Sequence, residues 1–449
     1  MNIKGKNISI IGAVRSGVGA AKLAKKMGAV PFVSDSAPYA KIEIYLQTLI
    51  DNKIDFEFGG HSERVHHADL IVTSPGVPSN SEVLLKAKEL GLRVVSELEF
   101  ASWFCKGKII AITGSNGKTT TTSLCGHMLE TAGKKVFTAG NIGLAFSEIV
   151  LSADEQSFVV LEVSSFQLDH IESFKPYISV LLNITPDHLD RYENDFEKYR
   201  NSKMRITANQ DGSDYFVYNI DDKKIPLTIS TAVQKYEFGA TSTVQYGTQI
   251  SEGKFIFNSS DGSEEICETS ALFVKGIHNQ YNAAATATIG KIVGISNTDI
   301  QKAFESFKGV EHRVEFVKEY KGVKYYNDSK ATNVDSVWYA LKSFEEPIIL
   351  ILGGKDKGND YNELKNLVHE KVKKIYAIGS SAEKVKSFFG EIVNTELKDS
   401  FDDCIKSSLI DAVSGDVLLL SPACASFDMF NNYEHRGEEF KNSVNRILL

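Results

Sequence analysis

The apolar run Lys108-Ile109-Ile110-Ala111-Ile112 ends in Thr113-Gly114-Ser115-Asn116-Gly117-Lys118-Thr119, and a threonine-rich stretch of helical length follows. Strand, glycine turn and helix, in that order, are what a phosphate-binding loop requires. Glycines let backbone N–H groups converge on phosphate oxygens, the lysine neutralises the terminal phosphates, and the threonine hydroxyl can ligate Mg²⁺. A strict motif would carry glycine where Ile112 stands, so this is a variant form. The alternative is an ordinary glycine turn at a helix start; Lys-Thr in register after a strand argues against it.

Strand-like runs alternate with helix-length amphipathic segments through most of the chain, which predicts α/β architecture with mainly parallel sheets. At 449 residues the chain is long enough for two to four domains, which excludes one small binding module. A first series opens with Asn7 to Gly12, a helix from about Gly17 to Met27 and a strand ending at Asp35, the start of a Rossmann-like fold. The phosphate loop opens a second series. Between about Gly212 and Val274 short alternating strands with turns such as Ser260-Asp261-Gly262 predict an antiparallel excursion. A third, Rossmann-like series begins near Gly309. The expected domains are residues 1–96, 97–308 and 309–449.

Composition narrows the partners. Asp and Glu number 58 against 50 Lys and Arg, a formal charge of −8, so a nonspecific grip on nucleic acid or anionic lipid is not expected. The five cysteines form no CxxC pair and fit a reduced compartment. Without an apolar stretch at the N-terminus, a cytoplasmic location is expected.

Three clusters lie downstream of the phosphate loop. Glu162 ends the run Phe158-Val159-Val160-Leu161, at the end of a strand where a carboxylate suits magnesium. Thr185-Pro186-Asp187-His188-Leu189-Asp190-Arg191 is dense in metal-capable groups, although alone it reads as a solvated loop. Lys203 by spacing is one more exposed helix lysine. In the third series, Asn327-Asp328-Ser329-Lys330-Ala331-Thr332-Asn333, Gly353-Gly354-Lys355-Asp356-Lys357-Gly358 and Ser421-Pro422-Ala423-Cys424-Ala425-Ser426-Phe427 each follow an apolar run. Any one could be a capped strand-to-helix loop; three together point to a site for carboxylate or phosphate.

With these residues the chain resembles the bacterial Mur ligases, ATP-dependent amide-bond-forming enzymes of peptidoglycan precursor synthesis, over essentially all of its length. Leu161-Glu162-Val163-Ser164-Ser165-Phe166-Gln167-Leu168 and the Ser421 to Asp428 segment are similar to those of the members that add D-glutamate to UDP-N-acetylmuramoyl-L-alanine. The resemblance implies that Gly114, Ser115, Asn116, Gly117, Lys118, Thr119 and Thr120 hold ATP, with Mg²⁺ on Thr119 and Glu162. It places His188 at a second magnesium site and makes Lys203 a carbamylated metal-holding lysine, which requires a depressed amine pKa. Asn279, Asn282, Arg313, Asp328 and Lys330 would serve the nucleotide. Arg15, Ser16, Asp35, Ser36, Ser74, Gly76 and Asn141 would hold the UDP substrate, and Thr332, Lys357, Ser426 and Tyr433 the D-glutamate. Family members are usually monomers.

In the first βα turn Val14 stands where relatives often carry glycine, and the GxGxxG spacing of a dinucleotide site is absent, so a redox role is unsupported. A non-catalytic UDP-sugar sensor is the rival from another class. It has no evident need for a metal site together with an amino-acid pocket. A Mur ligase that adds a different amino acid is the nearer alternative.

Overall fold

The computed structural model describes residues 2–225, 232–274, 276–356 and 358–448. Three sheets organise them. The first is wholly parallel, with strands Asn7–Ile11, Val30–Asp35, Asp55–Phe58, Leu70–Thr73 and Val94–Ser96 in the spatial order 3-2-1-4-5. Ile8 to Ile11 are all buried, as a strand between two helix layers must be. Strand order reverses between the first and fourth strands, and the carboxyl ends there form the crevice at which such sheets bind ligands. Helix Arg15–Lys26 starts two residues earlier than expected, because Val14 is still extended and the small residues Gly17, Ala20, Ala21 and Ala24 let the helix lie close against the sheet.

The second sheet has nine strands. The strand before the phosphate loop, Lys108–Thr113, lies between Phe158–Glu162 and Ile178–Leu181, parallel to both. The antiparallel pairing expected over about 212–274 is present but begins later. Tyr215–Asn219 and Gln234–Gly239 extend the parallel sheet, and Gly247–Ser251 joins it in parallel before two hairpins run to Lys254–Ser259 and Gly262–Glu268. Alternating hydrophobicity reports one wet face, and a parallel strand near an open end of a sheet has one too, so strand direction was not legible in the period. The third sheet runs Glu315–Tyr320, Val323–Asn327, Val417–Leu420, Ile348–Gly353, Val372–Ile378 and Thr395–Leu397 in space, antiparallel only at the first pair.

The chain divides into two compact units, Met1–Leu272 with Tyr281–Phe307, and Phe273–Gln280 with Lys308–Leu449. Inside the first unit a single apolar cluster runs from Ile8, Ile10 and Val72 of the first sheet through Leu98 and Phe100 to Phe146, Leu161 and Phe174 around the second. Among the described residues no helix is long and apolar enough to cross a membrane.

Helix Glu97–Ser102, capped by the Ser96 side chain, sits in that cluster and carries two buried glutamates. Glu99 accepts from Trp103 Nε1 (2.7 Å), from the backbone N–H groups of Glu172, Ser173 and Phe174 (3.0, 2.9 and 2.7 Å) and from Ser173 Oγ. Burial would push its carboxyl up, but the hydrogen bonds outweigh that and hold it below the usual range. Glu99 therefore pins the first linker to the second sheet. Replacing Glu99 by Ala strands several buried donors and is expected to cost about 2–4 kcal/mol. A lower urea midpoint for the transition followed by Trp103 fluorescence, with Trp338 replaced by Phe, checks this; an unchanged midpoint refutes the anchoring role.

Candidate active site

The loop between Lys108–Thr113 and helix Lys118–Thr131 is braced by its neighbours. Gly117 is left-handed (φ +83°), and a Cβ there would lie 2.5 Å from Asn282 Oδ1, so glycine is required and Asn282 of helix Ile277–Ile292 stands against the loop. Asn183 clamps Asn116 from both sides: its Oδ1 accepts Asn116 N–H (2.8 Å) and its Nδ2 donates to Asn116 O (3.0 Å). Ser115 Oγ donates to Thr185 O (2.7 Å), accepts Thr185 N–H (2.9 Å) and meets Tyr199 OH at 2.9 Å.

Two lysines converge on one carbonyl. Lys118 Nζ donates to Gly114 O (2.8 Å) and Ser115 O (2.7 Å), and Lys203 Nζ also donates to Gly114 O at 2.8 Å. Lys203 is only 2% exposed and lies over the Tyr199 ring, 4.6 Å from its centre. Burial, then the Lys118 ammonium, push its pKa well below that of an ordinary lysine, although Asp187, Glu162 and Asp169 pull the other way. The spacing-based expectation of an exposed lysine is overturned. Helix Phe196–Met204 turns Tyr199 and Lys203, one turn apart, toward the loop.

Glu162 is buried at the end of its strand. Its Oε2 accepts from Thr119 Oγ1 at 2.6 Å and its Oε1 from Asn141 Nδ2 at 3.2 Å. Gly140, beside Asn141, has φ +111°, and a Cβ would fall 2.3 Å from Glu162 O, so the backbone before Asn141 can come this close only as glycine. His188 has a left-handed backbone (φ +51°), packs edge-on against Phe166 at 5.8 Å and has Nε2 3.7 Å from Asp187 Oδ2. Arg191 lies over the other part of this cluster, 4.5 Å from the Phe166 ring centre, and donates to Pro75 O (2.9 Å) and Gly76 O (3.0 Å). Arg15 donates to Gly143 O at 2.7 Å. Inside the first unit Arg191 thus ties the His188 loop to the Ser74 to Gly76 loop, and Arg15 ties the first turn to the segment after Asn141.

In the second unit the three small-residue loops lie at the carboxyl ends of neighbouring parallel strands. Asp328 N–H donates to Leu420 O (2.8 Å), and Lys355 and Ala425 exchange backbone hydrogen bonds (2.9 and 3.1 Å). Arg436, 2% exposed on helix Tyr433–Ile447, fastens two of them by donating to Ser329 Oγ (2.9 Å), Ser329 O (2.7 Å) and Cys424 O (3.0 Å). Burial lowers its pKa to about 10. Lys330 Nζ donates to Tyr433 OH at 3.0 Å, and Ser426 is buried.

Residues 112–290 match the Mur ligase middle domain and residues 312–424 the Mur ligase glutamate ligase domain. The UDP-N-acetylmuramoylalanine–D-glutamate ligase of Salinibacter ruber is 43% identical over 451 residues, covering 98% of each chain. That of Christiangramia forsetii is 44% identical over 448 residues, covering 99% of this chain and all of the relative. The chain belongs to the Mur ligase family. Among solved structures, the UDP-N-acetylmuramate–alanine ligase of Thermotoga maritima shares the fold at a TM-score of 0.63 and 19% identity, covering 98% of this chain and 99% of that one. The pseudomurein peptide ligase type C of Methanothermus fervidus does so at 0.61 and 18%, over 99% and 100%.

Within this Mur ligase the structure brings together Gly114, Ser115, Asn116, Gly117, Lys118, Thr119, Asn141, Glu162, Lys203 and Asn282. Arg15 and Ser16 open their helix, Asp35 ends the second strand, and Ser36 follows it. Asn279, Arg313, Asp328, Lys330, Thr332, Ser426 and Tyr433 belong to the second unit, and Lys357 lies outside the described residues. Sequence reasoning missed Asn183, Tyr199 and Arg436. For Arg436 a signal existed: it shares a helical face with Phe440 and Ser443, and a lone cation on an apolar face is a flag.

Asp328 is buried, accepting from Ser421 Oγ (2.8 Å) and Val314 N–H (3.2 Å). Burial raises its pKa to about 6, against the pull of Arg313. A carboxyl whose folded pKa exceeds its unfolded one destabilises progressively as pH rises from the unfolded to the folded value, and in full above it. Asp328→Asn is therefore expected to stabilise the second unit at pH 7.5 and to be neutral at pH 4, as read by urea denaturation followed at Trp338 with Trp103 replaced by Phe. Equal effects at both pH values would refute the desolvated carboxylate.

Proposed function

We propose that the residues just described carry out the ATP-dependent addition of D-glutamate to UDP-N-acetylmuramoyl-L-alanine, the substrates for which the full-length relatives are named. The observation that carries this reading is the partly buried Thr119–Glu162 hydrogen bond at 2.6 Å beside a phosphate loop on which two lysines crowd one carbonyl. A carboxylate is a poor electrophile, so joining it to an amine in water needs a better leaving group. ATP supplies one as an acyl phosphate.

A divalent cation goes with ATP in this family, and the donors fit Mg²⁺: a hydroxyl and a carboxylate are hard oxygen ligands. Thr119 and Glu162 would hold it, with His188 and a carbamylated Lys203 at a second cation. When bound, magnesium screens charge between phosphate and carboxylate. Lys203 suits carbamylation because a neutral amine is what attacks CO₂, and burial beside Lys118 favours that form.

In the first step the γ-phosphoryl group passes to the L-alanine carboxylate while Lys118 and the loop N–H groups offset the developing charge. The D-glutamate amine then attacks the acyl carbon, losing a proton for which His188 is the proposed acceptor. Phosphate leaves, and an amide remains. Arg15, Ser16, Asp35, Ser36, Ser74, Gly76 and Asn141 are assigned to the UDP substrate, and Thr332, Lys357, Ser426 and Tyr433 to the D-glutamate carboxylates. The same reading divides the chain at 96/97 and 308/309 and makes it a cytoplasmic monomer that binds neither nucleic acid nor membrane.

Phosphate release that requires both the UDP-muramoyl acceptor and D-glutamate, with other amino acids inactive in a panel, tests the assignment. Lys118→Ala is expected to lower turnover about 10³-fold or more while binding of the UDP substrate survives; near wild-type turnover would remove Lys118 from the site. Lys203→Ala should lose about 100-fold, and a short exogenous carboxylic acid should restore part of it by standing in for the carbamate. Full activity in the unaided variant overturns that role.

A further inference from the structure

At the carboxyl end of the second strand of the first sheet a three-residue relay is left over from the reading above. Ser34, buried and in register with Ile11 on one side and Glu57 on the other, donates its hydroxyl proton to Glu57 Oε1 at 2.7 Å. Glu57 Oε1 also accepts Ser62 N–H at 2.8 Å. His61 Nδ1 lies 2.7 Å from the same Ser34 oxygen.

A serine hydroxyl has one proton. With that proton on the carboxylate, Ser34 Oγ can only accept from the ring, so Nδ1 carries the hydrogen and a neutral His61 presents Nε2 as a bare lone pair. Nε2 lies on the side of the ring away from Nδ1, and no hydrogen-bond partner for it exists among the described residues. Burial lowers the His61 pKa, against Asp35 and Glu57 and with His66, which favours the neutral ring. Glu57 itself sits below its ordinary value: burial would raise it, but hydrogen bonds from Ser62 and Ser34 prevail.

The relay adjoins the assigned nucleotide loop. Gly59 N–H donates to Ala37 O (3.0 Å) and Gly60 N–H to Asp35 O (3.4 Å), so the segment leading to His61 is laced to the residues after the second strand. Asp35 meanwhile accepts Ala13 N–H with one oxygen (2.6 Å) and Ala37 N–H with the other (2.7 Å), fastening the first turn to the same loop. Its carboxylate is engaged in shaping the crevice.

We propose that His61, its tautomer set by Ser34 and Glu57, is a specificity residue for the pyrimidine base of the UDP substrate, accepting the uracil N3–H on Nε2. The inference rests on the assignment of this crevice to the uridine end. Uracil and cytosine differ at that atom: uracil N3 donates, whereas cytosine N3 accepts and would face the His61 lone pair. A site built to pair a buried polar group discriminates strongly against an analogue that cannot pair it.

The test is calorimetric binding of UDP, 3-methyl-UDP and CDP to the full chain. Wild type should bind UDP about tenfold or more tighter than either analogue. In His61→Ala, UDP should weaken to about the level of 3-methyl-UDP, with ATP binding unchanged as a check that the chain is folded. His61→Gln, whose amide can turn either way, should bind UDP and CDP within about threefold of each other. Ser34→Ala, which frees the tautomer, should narrow the UDP to CDP ratio without abolishing UDP binding. If His61→Ala and His61→Gln keep the wild-type ratios while UDP still binds, the inference fails and the uridine site stands. If wild type does not bind UDP, both fail.

Discussion

Two ammonium groups cannot share one carbonyl oxygen cheaply. Lys118 and Lys203 both reach Gly114 O, which holds their nitrogens within about 5 Å, where like charges repel by about 3 kcal/mol at an effective dielectric of about 20. Lys203 is the more deeply buried of the two, and burial followed by the Lys118 charge pushes its pKa well below that of an ordinary lysine. The rest of the central site follows from that constraint. Tyr199 lends its ring to Lys203 and its hydroxyl to Ser115, Asn183 fixes the loop on the other side, and Glu162 is left to Thr119 and Asn141 rather than to either lysine. An amine whose pKa is pushed down in this way gives up its proton more readily than an exposed lysine does.

The second unit handles buried charge differently. Arg436 has donors on Ser329 and Cys424 backbone oxygens and Asp328 accepts from Ser421 and Val314, so each charge is dressed mainly by neutral dipoles. Such groups cost stability when desolvated, and their return is fixed loop geometry at the ends of three parallel strands. Loops rich in glycine, alanine and serine have little side-chain packing of their own to hold them.

Much of this was legible in the residues. The strand, glycine turn and helix around Lys118 were readable from the glycines and Lys-Thr, and the place of Glu162 at the end of its strand from the run Phe158 to Leu161, because both signals are local. The burial of Lys203 was not, since spacing along one helix says nothing about which face meets another segment; only its i−4 partner Tyr199 hinted at a shared inward face. Asn183 and Arg436 act across long sequence separations and carry no motif. The late onset of antiparallel pairing was hidden for a related reason: a period of two fixes which side chains face inward, and leaves open which way the neighbouring strand runs.

The apolar cluster that passes without a break from the first sheet to the second has a bearing on how such enzymes can be recombined. A cassette exchange cut at the end of the first sheet would slice through Leu98 and Phe100 and present a donor fragment with a face shaped for someone else's Phe146 and Phe174. Grafts that move the first unit must carry both of its sheets as one piece. A chimaera joined after Phe307 must also exchange Phe273–Gln280, because that short segment belongs to the same compact unit as Lys308–Leu449.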